Sequence, residues 1–428
     1  MTERRRSVTF IGRLAQVPKR HFVAAAVIGL LSGIGATGFH FLADRLGEVL
    51  FRWVESNGAP MRFPLVVLVP SLGLLFVGFI LQRYPPGRLG GVREVFESLG
   101  EHEGLIPWNR IVNVILSGLV LAFGGSVGPE GPMVQMGALI GSQAGRRFVT
   151  STMALRSMVR AGAAAGIAAA FRSPAGGILL TVELFGARFD TELAVIGVAS
   201  VVGYLTRTAL LGRDYPFALP SGTEPLPLAG ILVVAPLMGL LAAPAGHLFI
   251  RLLDATRRVF RFKAPLSLKV GLGGLLVGCI GLFYPHVMSA GYAVVVHGIR
   301  DGYSVQMFSL LFLLKIVATS ITFGSGAVGG LFAPTLFMGA MFGGAFGYGV
   351  QILHPAAAPQ PEVYVVLGMV AIFSSIVKGY WSGLLLVADM SGAYHAILLP
   401  GIIAGGISFV LSWAFHDRSV FDLPQGGA

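Results

Sequence analysis

The chain has 428 residues, of which 54% are hydrophobic and only 12% charged, and its mean hydropathy is +0.77. Soluble domains carry roughly a quarter charged residues, so this composition excludes a soluble enzyme and points to a membrane-embedded chain. The formal charge of +11 reads as basic loops flanking apolar spans rather than as a nucleic-acid surface, and the single Cys279 leaves no intrachain disulfide and no cysteine-based metal site.

Arg4, Arg5, Arg6, Arg13, Lys19 and Arg20 precede the first apolar run, which makes residues 1–17 a basic segment on the cytoplasmic side of a plasma (inner) membrane. That run is too long for a secretory signal and lacks a small-residue cleavage site. Runs that span or nearly span a bilayer lie at 22–41, 63–81, 111–123, 193–211, 229–250, 270–283, 308–323 and 397–415. Several fall short of the ~20 residues of a straight span. With 60 Gly and 24 Pro, short, tilted or broken helices are predicted, which is tolerable at membrane depth only where protein or an aqueous cavity covers each break. The polar, Pro-rich stretch 213–225 carries the turn signals of a connector. It divides the chain into membrane halves 18–212 and 226–416, followed by a short tail, 417–428.

The two halves repeat one another. At an offset of 202, Gly124, Gly128 and Pro132 fall on Gly326, Gly330 and Pro334, and Met136, Gly137 and Ala138 fall on Met338, Gly339 and Ala340. Gly141 and Gly145 fall on Gly343 and Gly347, and at an offset of 206 Glu183 meets Asp389. Internal symmetry with Gly/Pro-broken segments at matching places marks a transporter whose substrate site is built from helix ends near the midplane. Sequence alone leaves parallel and inverted repeats equally open.

Gly128-Pro129-Glu130-Gly131-Pro132 is a turn followed by a proline placed for the first turn of a helix. Gly329 to Pro334 offers the same arrangement. Unpaired N–H groups and the positive dipole end at such helix starts attract an anion without a full cationic charge. The glycines spaced by four after each start supply small faces for close helix packing. Glu130 stands out, because an ionisable side chain at membrane depth is expensive and functional by default. Its carboxylate competes with an anion for the same N–H groups and so acts as a tethered plug that protonation releases. Glu183 and Asp389 each end an apolar helix, where a paired structural acid is the simpler reading.

Gly128-Pro129-Glu130-Gly131-Pro132 with Val134-Gln135-Met136-Gly137 behind it resembles the second signature of the CLC chloride channel and transporter family. Glu130 then stands at the gating-glutamate position. Gly330-Leu331-Phe332-Ala333-Pro334 resembles the third signature, and the stretch 162–183 follows the family pattern without a gap. The resemblance covers residues 18 to 422. It implies an all-α integral membrane protein with two inverted-repeat halves of tilted and broken transmembrane helices. It also implies a homodimer in membrane lipid with one pore per subunit, no cofactor, and chloride or a similar small anion as substrate. The implied anion-binding set is the backbone of Gly90, Gly91, Gly128, Glu130, Leu331 and Phe332.

Three departures from the family pattern matter. The first signature, Gly-Ser-Gly-Ile-Pro-Glu in the family, reads Leu89-Gly90-Gly91-Val92-Arg93-Glu94 here, so Gly90 replaces a serine and Arg93 a proline. The C-terminal pore tyrosine falls on Phe421, and the inner proton-carrying glutamate of coupled family members falls on Leu184. Two hydroxyls and the usual proton relay are absent. The expectation is therefore a Glu130-gated, passive chloride channel; the alternative is a chloride/proton antiporter with another proton route. A membrane enzyme lacks support, since nine scattered His include no His-x3-His and no nucleophile or phosphate loop is evident. A family member that does not transport is a third reading.

Overall fold

The computed structural model describes residues 17–84, 90–416 and 418–421. Residues 1–16, Leu89 of the first signature and the tail at 417 and 422–428 lie outside the described residues. The first half contains α1 (Lys19–Ser56), α2 (Ala59–Arg83), α3 (Val92–Gly100), α4 (Ile111–Ala122), α5 (Glu130–Phe148), α6 (Thr152–Phe171), α7 (Pro174–Phe185) and α8 (Thr191–Leu211). The second contains α9 (Ala235–Val259), α10 (Leu266–Phe283), α11 (Tyr292–Arg300), α12 (Val305–Gly324), α13 (Phe332–Leu353), α14 (Glu362–Val377), α15 (Tyr380–Ser391) and α16 (Tyr394–Phe415). Among the described residues there is no strand, only an isolated antiparallel bridge between Gly128 and Gly330.

The halves match helix for helix. The nine-residue helices α3 and α11 are both capped by a glycine at positive φ, Gly91 at 66° and Gly291 at 78°. The 12-residue helices α7 and α15 both end on a left-handed glycine, Gly186 and Gly392. Helices α6 and α14 end on the repeat-equivalent cations Arg172 and Lys378, again left-handed. Gly128 N–H donates to Gly330 O at 2.7 Å and Gly330 N–H returns the bond to Gly128 O at 3.0 Å. Equivalent residues exchanging bonds on antiparallel chains are the local mark of a two-fold relation, so the repeats are inverted.

Small residues set the packing. A side chain at Gly137 would overlap the carbonyl of Gly162, and one at Gly162 the carbonyl of Gly137. In the second half Gly339 faces the backbone of Met369 and Gly343 faces Tyr364 O in the same way. Backbones in such contact bring α5 onto α6 and α13 onto α14. Across the halves α2 lies along α10, and α7 along α15.

Among the described residues, eight helices are long and apolar enough to cross a membrane. The apolar run 111–123 forms the 12-residue α4, which at 1.5 Å per residue reaches about 18 Å and falls short of a crossing. Its place in the set is taken by α13, whose Gly-rich sequence hides it from a search for apolar runs. α14 is buried at every residue from Val363 to Val377, and a helix apolar on all sides belongs in the interior. Large apolar side chains such as Leu72, Leu232, Leu275 and Val410 remain exposed and suit a lipid-facing surface.

Candidate functional site

Four helix starts converge where the halves meet. A side chain at Gly91, which caps α3, would lie within 4 Å of the backbones of Gly131 and Gly329, and Tyr292 opens α11 beside Glu130. Glu130 and Phe332 are the first residues of α5 and α13. The first N–H groups of a helix have no partner inside it, and each start carries the positive end of its dipole. The location is thus electropositive although no cationic side chain is needed to make it so.

Glu130 is 2% exposed. One carboxylate oxygen accepts the Ala333 N–H at 3.2 Å, the other accepts the Tyr292 hydroxyl, and its own backbone N–H bonds to it as well. The carboxylate therefore lies across the N-terminus of α13, where an incoming anion would find its donors. A Cβ at Gly128 would stand within 2.5 Å of that carboxylate, so glycine is what leaves it room.

Of the other expected anion contacts, two N–H groups are already engaged. Gly128 N–H is spent on Gly330 O, and Gly91 N–H donates to the Gln135 side chain at 2.7 Å. Gly90, Leu331 and Phe421 border one cavity of about 30 Å³. The Phe332 ring turns away from solvent and packs on Phe171, Phe373 and Phe421, with centroids 5.6, 5.9 and 5.1 Å away. Phe421 is held there by Val420, whose N–H donates to Ile376 O at 3.1 Å.

Leu184 is half-buried and packs against the main apolar core. Glu183 beside it caps α15, accepting the N–H groups of Trp381 at 2.8 Å and Ser382 at 3.0 Å together with the Ser382 hydroxyl. Asp389 accepts from the hydroxyls of Ser173, the N-cap of α7, and Tyr394. The two acids thus serve the starts of each other's helices. A second cavity, about 140 Å³, lies beside Asp389 and Arg172. There Asp214, in the connector, receives a two-pronged bond from Arg172 at 2.7 and 2.9 Å and an ion pair from Arg207 at 2.8 Å. Burial pushes the Asp214 carboxyl up, but these bonds outweigh it and hold the group below its ordinary value.

Several residues escaped the sequence reading. Tyr292 carries no motif of its own. Lys315 did carry a signal, a lone cation within an apolar run: it is fully buried, donates to Val287 O at 3.1 Å and Ser289 O at 2.7 Å, and sits over the Phe337 ring. Those bonds pin the turn that leads into Tyr292.

The model of the voltage gated chloride channel family matches residues 73–412. The chain belongs to this family. It is similar to a ClcB-like chloride channel protein of Ralstonia nicotianae, 34% identical over 370 residues, covering 83% of this chain and 84% of that one. The H(+)/Cl(-) exchange transporter ClcA of Vibrio parahaemolyticus is 31% identical over 441 residues, covering 94% and 91%. The crystal structure of a slow cyanobacterial Cl-/H+ antiporter superposes with a TM-score of 0.85 over 94% of this chain and 96% of that one; at 24% identity it speaks for the fold alone. This CLC chain is an integral membrane protein that transports chloride. It is not an enzyme, and chloride transport by CLC proteins calls for no cofactor.

Proposed function

We propose that this CLC protein exchanges chloride for protons, with Glu130 as the moving gate. The observation that carries this reading is the Glu130 carboxylate lying over the first N–H groups of α13. A carboxylate there is displaced either by chloride, which takes the same donors, or by a proton, which removes its charge; one group thus senses both ions. The anion route runs past Gly128, Glu130, Leu331 and Phe332 toward Gly90 and Phe421. Gly91 contributes only if Gln135 releases its N–H. The name printed for the Vibrio parahaemolyticus relative favours exchange over the passive channel expected from the sequence.

One observation favours a second reading, passive flux. Leu184 cannot carry a proton, and the adjacent Glu183 is committed to capping α15. Exchange therefore requires a proton route that avoids position 184. Simultaneous chloride and proton recording in liposomes holding the purified protein separates the two. Under exchange, a chloride gradient drives uphill proton movement; under passive flux, the reversal potential follows chloride alone. The same reading includes a homodimer with one route per subunit, surrounding lipid, a cytoplasmic N-terminus, and the division into halves at 213–225.

A further inference from the structure

Leu184 leaves the exchange reading without a proton carrier at that position, yet the helix packed against it brings one. Phe96 of α3 meets Phe185, the residue after Leu184, edge to face with ring centroids 5.2 Å apart. Two residues before Phe96 stands Glu94, in the first turn of α3 and only 4% exposed. Its Oε1 pairs with Arg110 Nε at 3.3 Å, whereas its Oε2 has no hydrogen-bond partner. No other buried carboxylate oxygen among the described residues is left so. Glu130, Glu183, Glu192 and Asp389 each have both oxygens bonded.

An ionised carboxylate only accepts hydrogen bonds, and a buried one with an empty oxygen is costly enough to favour giving up its charge. An acid kept for structure alone has both oxygens filled, as the other four do. The charges acting on Glu94 are Arg110, which favours the ionised form, and Glu97 on its own helix, which disfavours it. The helices packed on α3, namely α5, α6 and α7, add none. α3 is nine residues long and lies outside the membrane-spanning helices. Burial outweighs Arg110 and pushes the carboxyl up to about 7, where a group binds and releases protons with equal ease at neutral pH.

Polar groups flank Glu94 on both sides. Glu97, three residues on and so on the same face of the helix, is about a fifth exposed and pairs with Arg93 at 3.3 Å. On the other side Gln135, fully buried on α5, accepts the Gly91 N–H at 2.7 Å and donates to Arg110 O at 3.4 Å. Gln135 thus ties the start of α3 and the partner of Glu94 to the helix that Glu130 opens. We infer that Glu94 is the inner proton carrier of the exchange, taking protons from the Glu97 side and handing them on past Gln135 to Glu130. A carboxamide does not itself pass protons, so this step runs through water. Glu94 gives its proton to a water molecule, the water gives one to the Glu130 carboxylate, and Glu94 is left ionised against Arg110. The inference rests on the proposed exchange and supplies the route that avoids position 184.

The test uses the full chain in liposomes, with chloride and proton movement recorded together and read as protons moved per chloride. Wild type is compared with Glu94→Gln, with Glu94→Asp, and with Glu94→Gln combined with Leu184→Glu. In Glu94→Gln the ratio should fall about tenfold or more, since a positioned acid or base typically contributes at least that much to proton transfer. A carboxylate at position 184 should then raise it again. A merely structural role would lower both fluxes together and leave the ratio alone. An unchanged ratio in Glu94→Gln overturns the assignment, and so does a fall that Leu184→Glu does not reverse. If Glu94→Gln fails to fold, Glu94→Asp decides, because it keeps the charge beside Arg110 and draws the carboxyl back by one methylene. A lower ratio there sustains the assignment and an unchanged one overturns it. Wild type that moves chloride without driving protons uphill overturns the exchange and the carrier together, whereas wild-type exchange with an unaltered ratio in Glu94→Gln overturns the carrier alone.

Discussion

Replacing Glu130 with Gln keeps the shape of the gate and removes its charge. Apart from its own backbone N–H, the carboxylate is held by the Ala333 N–H at 3.2 Å and by the Tyr292 hydroxyl. Hydrogen bonds to charged groups contribute about 1.5–3 kcal/mol and neutral ones about 0.5–1.5, so neutralisation weakens the hold by roughly 1 kcal/mol per bond and about 2 in all. At about 1.4 kcal/mol per decade, the population with the side chain away from α13 rises roughly thirtyfold. Initial chloride efflux from liposomes should therefore rise by about tenfold or more, on the same arithmetic. It should also lose its pH dependence, since no proton remains to be bound at position 130, and chloride-driven proton uptake should fall to background. Tyr292→Phe removes one bond and should give a smaller rise. In the double variant the two effects should not add, because both act on one contact. Unchanged efflux with unchanged pH dependence in Glu130→Gln would refute the gate assignment and the reasoning from the α13 donors with it.

Gly90→Ser should fold, since a Cβ there meets nothing closer than 3.6 Å. The new hydroxyl should shift the relative permeabilities of chloride, bromide and nitrate; identical ratios would mean that residue 90 does not face the anion. Lys315→Met leaves the carbonyls of Val287 and Ser289 without their donor, a loss of about 2–6 kcal/mol at about 1–3 per unsatisfied group. Its melting temperature in detergent should drop below that of wild type, and a drop no larger than an exposed-lysine control gives would show the bonds to be idle. Asp214→Asn should lower stability at neutral pH. Because the folded carboxyl titrates below its ordinary value, the wild-type advantage is present above about pH 4 and is lost as pH falls through the folded value. The melting curves of the two proteins should therefore converge on acidification, and a gap that does not narrow as pH falls below about 4 would count against the Arg172–Asp214 pairing as its source.

Much of the architecture is written along the chain. Apolar runs, the paired segments at Gly124–Gly145 and Gly326–Gly347, and the prolines at the starts of α5 and α13 are local features, and local periodicity and turn chemistry decide where helices begin and end. They were enough to mark a two-part membrane transporter and to single out Glu130. What they left open was every pairing between distant residues. The inverted relation of the halves appears only when Gly128 and Gly330 exchange hydrogen bonds. Tyr292 reaches Glu130 from 162 residues away, and the engagement of Gly91 by Gln135 spans 44. Arg257 looks in sequence like one more basic residue at the end of a span, and only the packing of α9 against the α13 start buries its guanidinium beside Leu331. Helix formation answers to neighbours three and four residues away, whereas the contents of a site answer to whichever helices close packing brings together. The first is legible in the order of amino acids, and the second exists only once the helices have been packed.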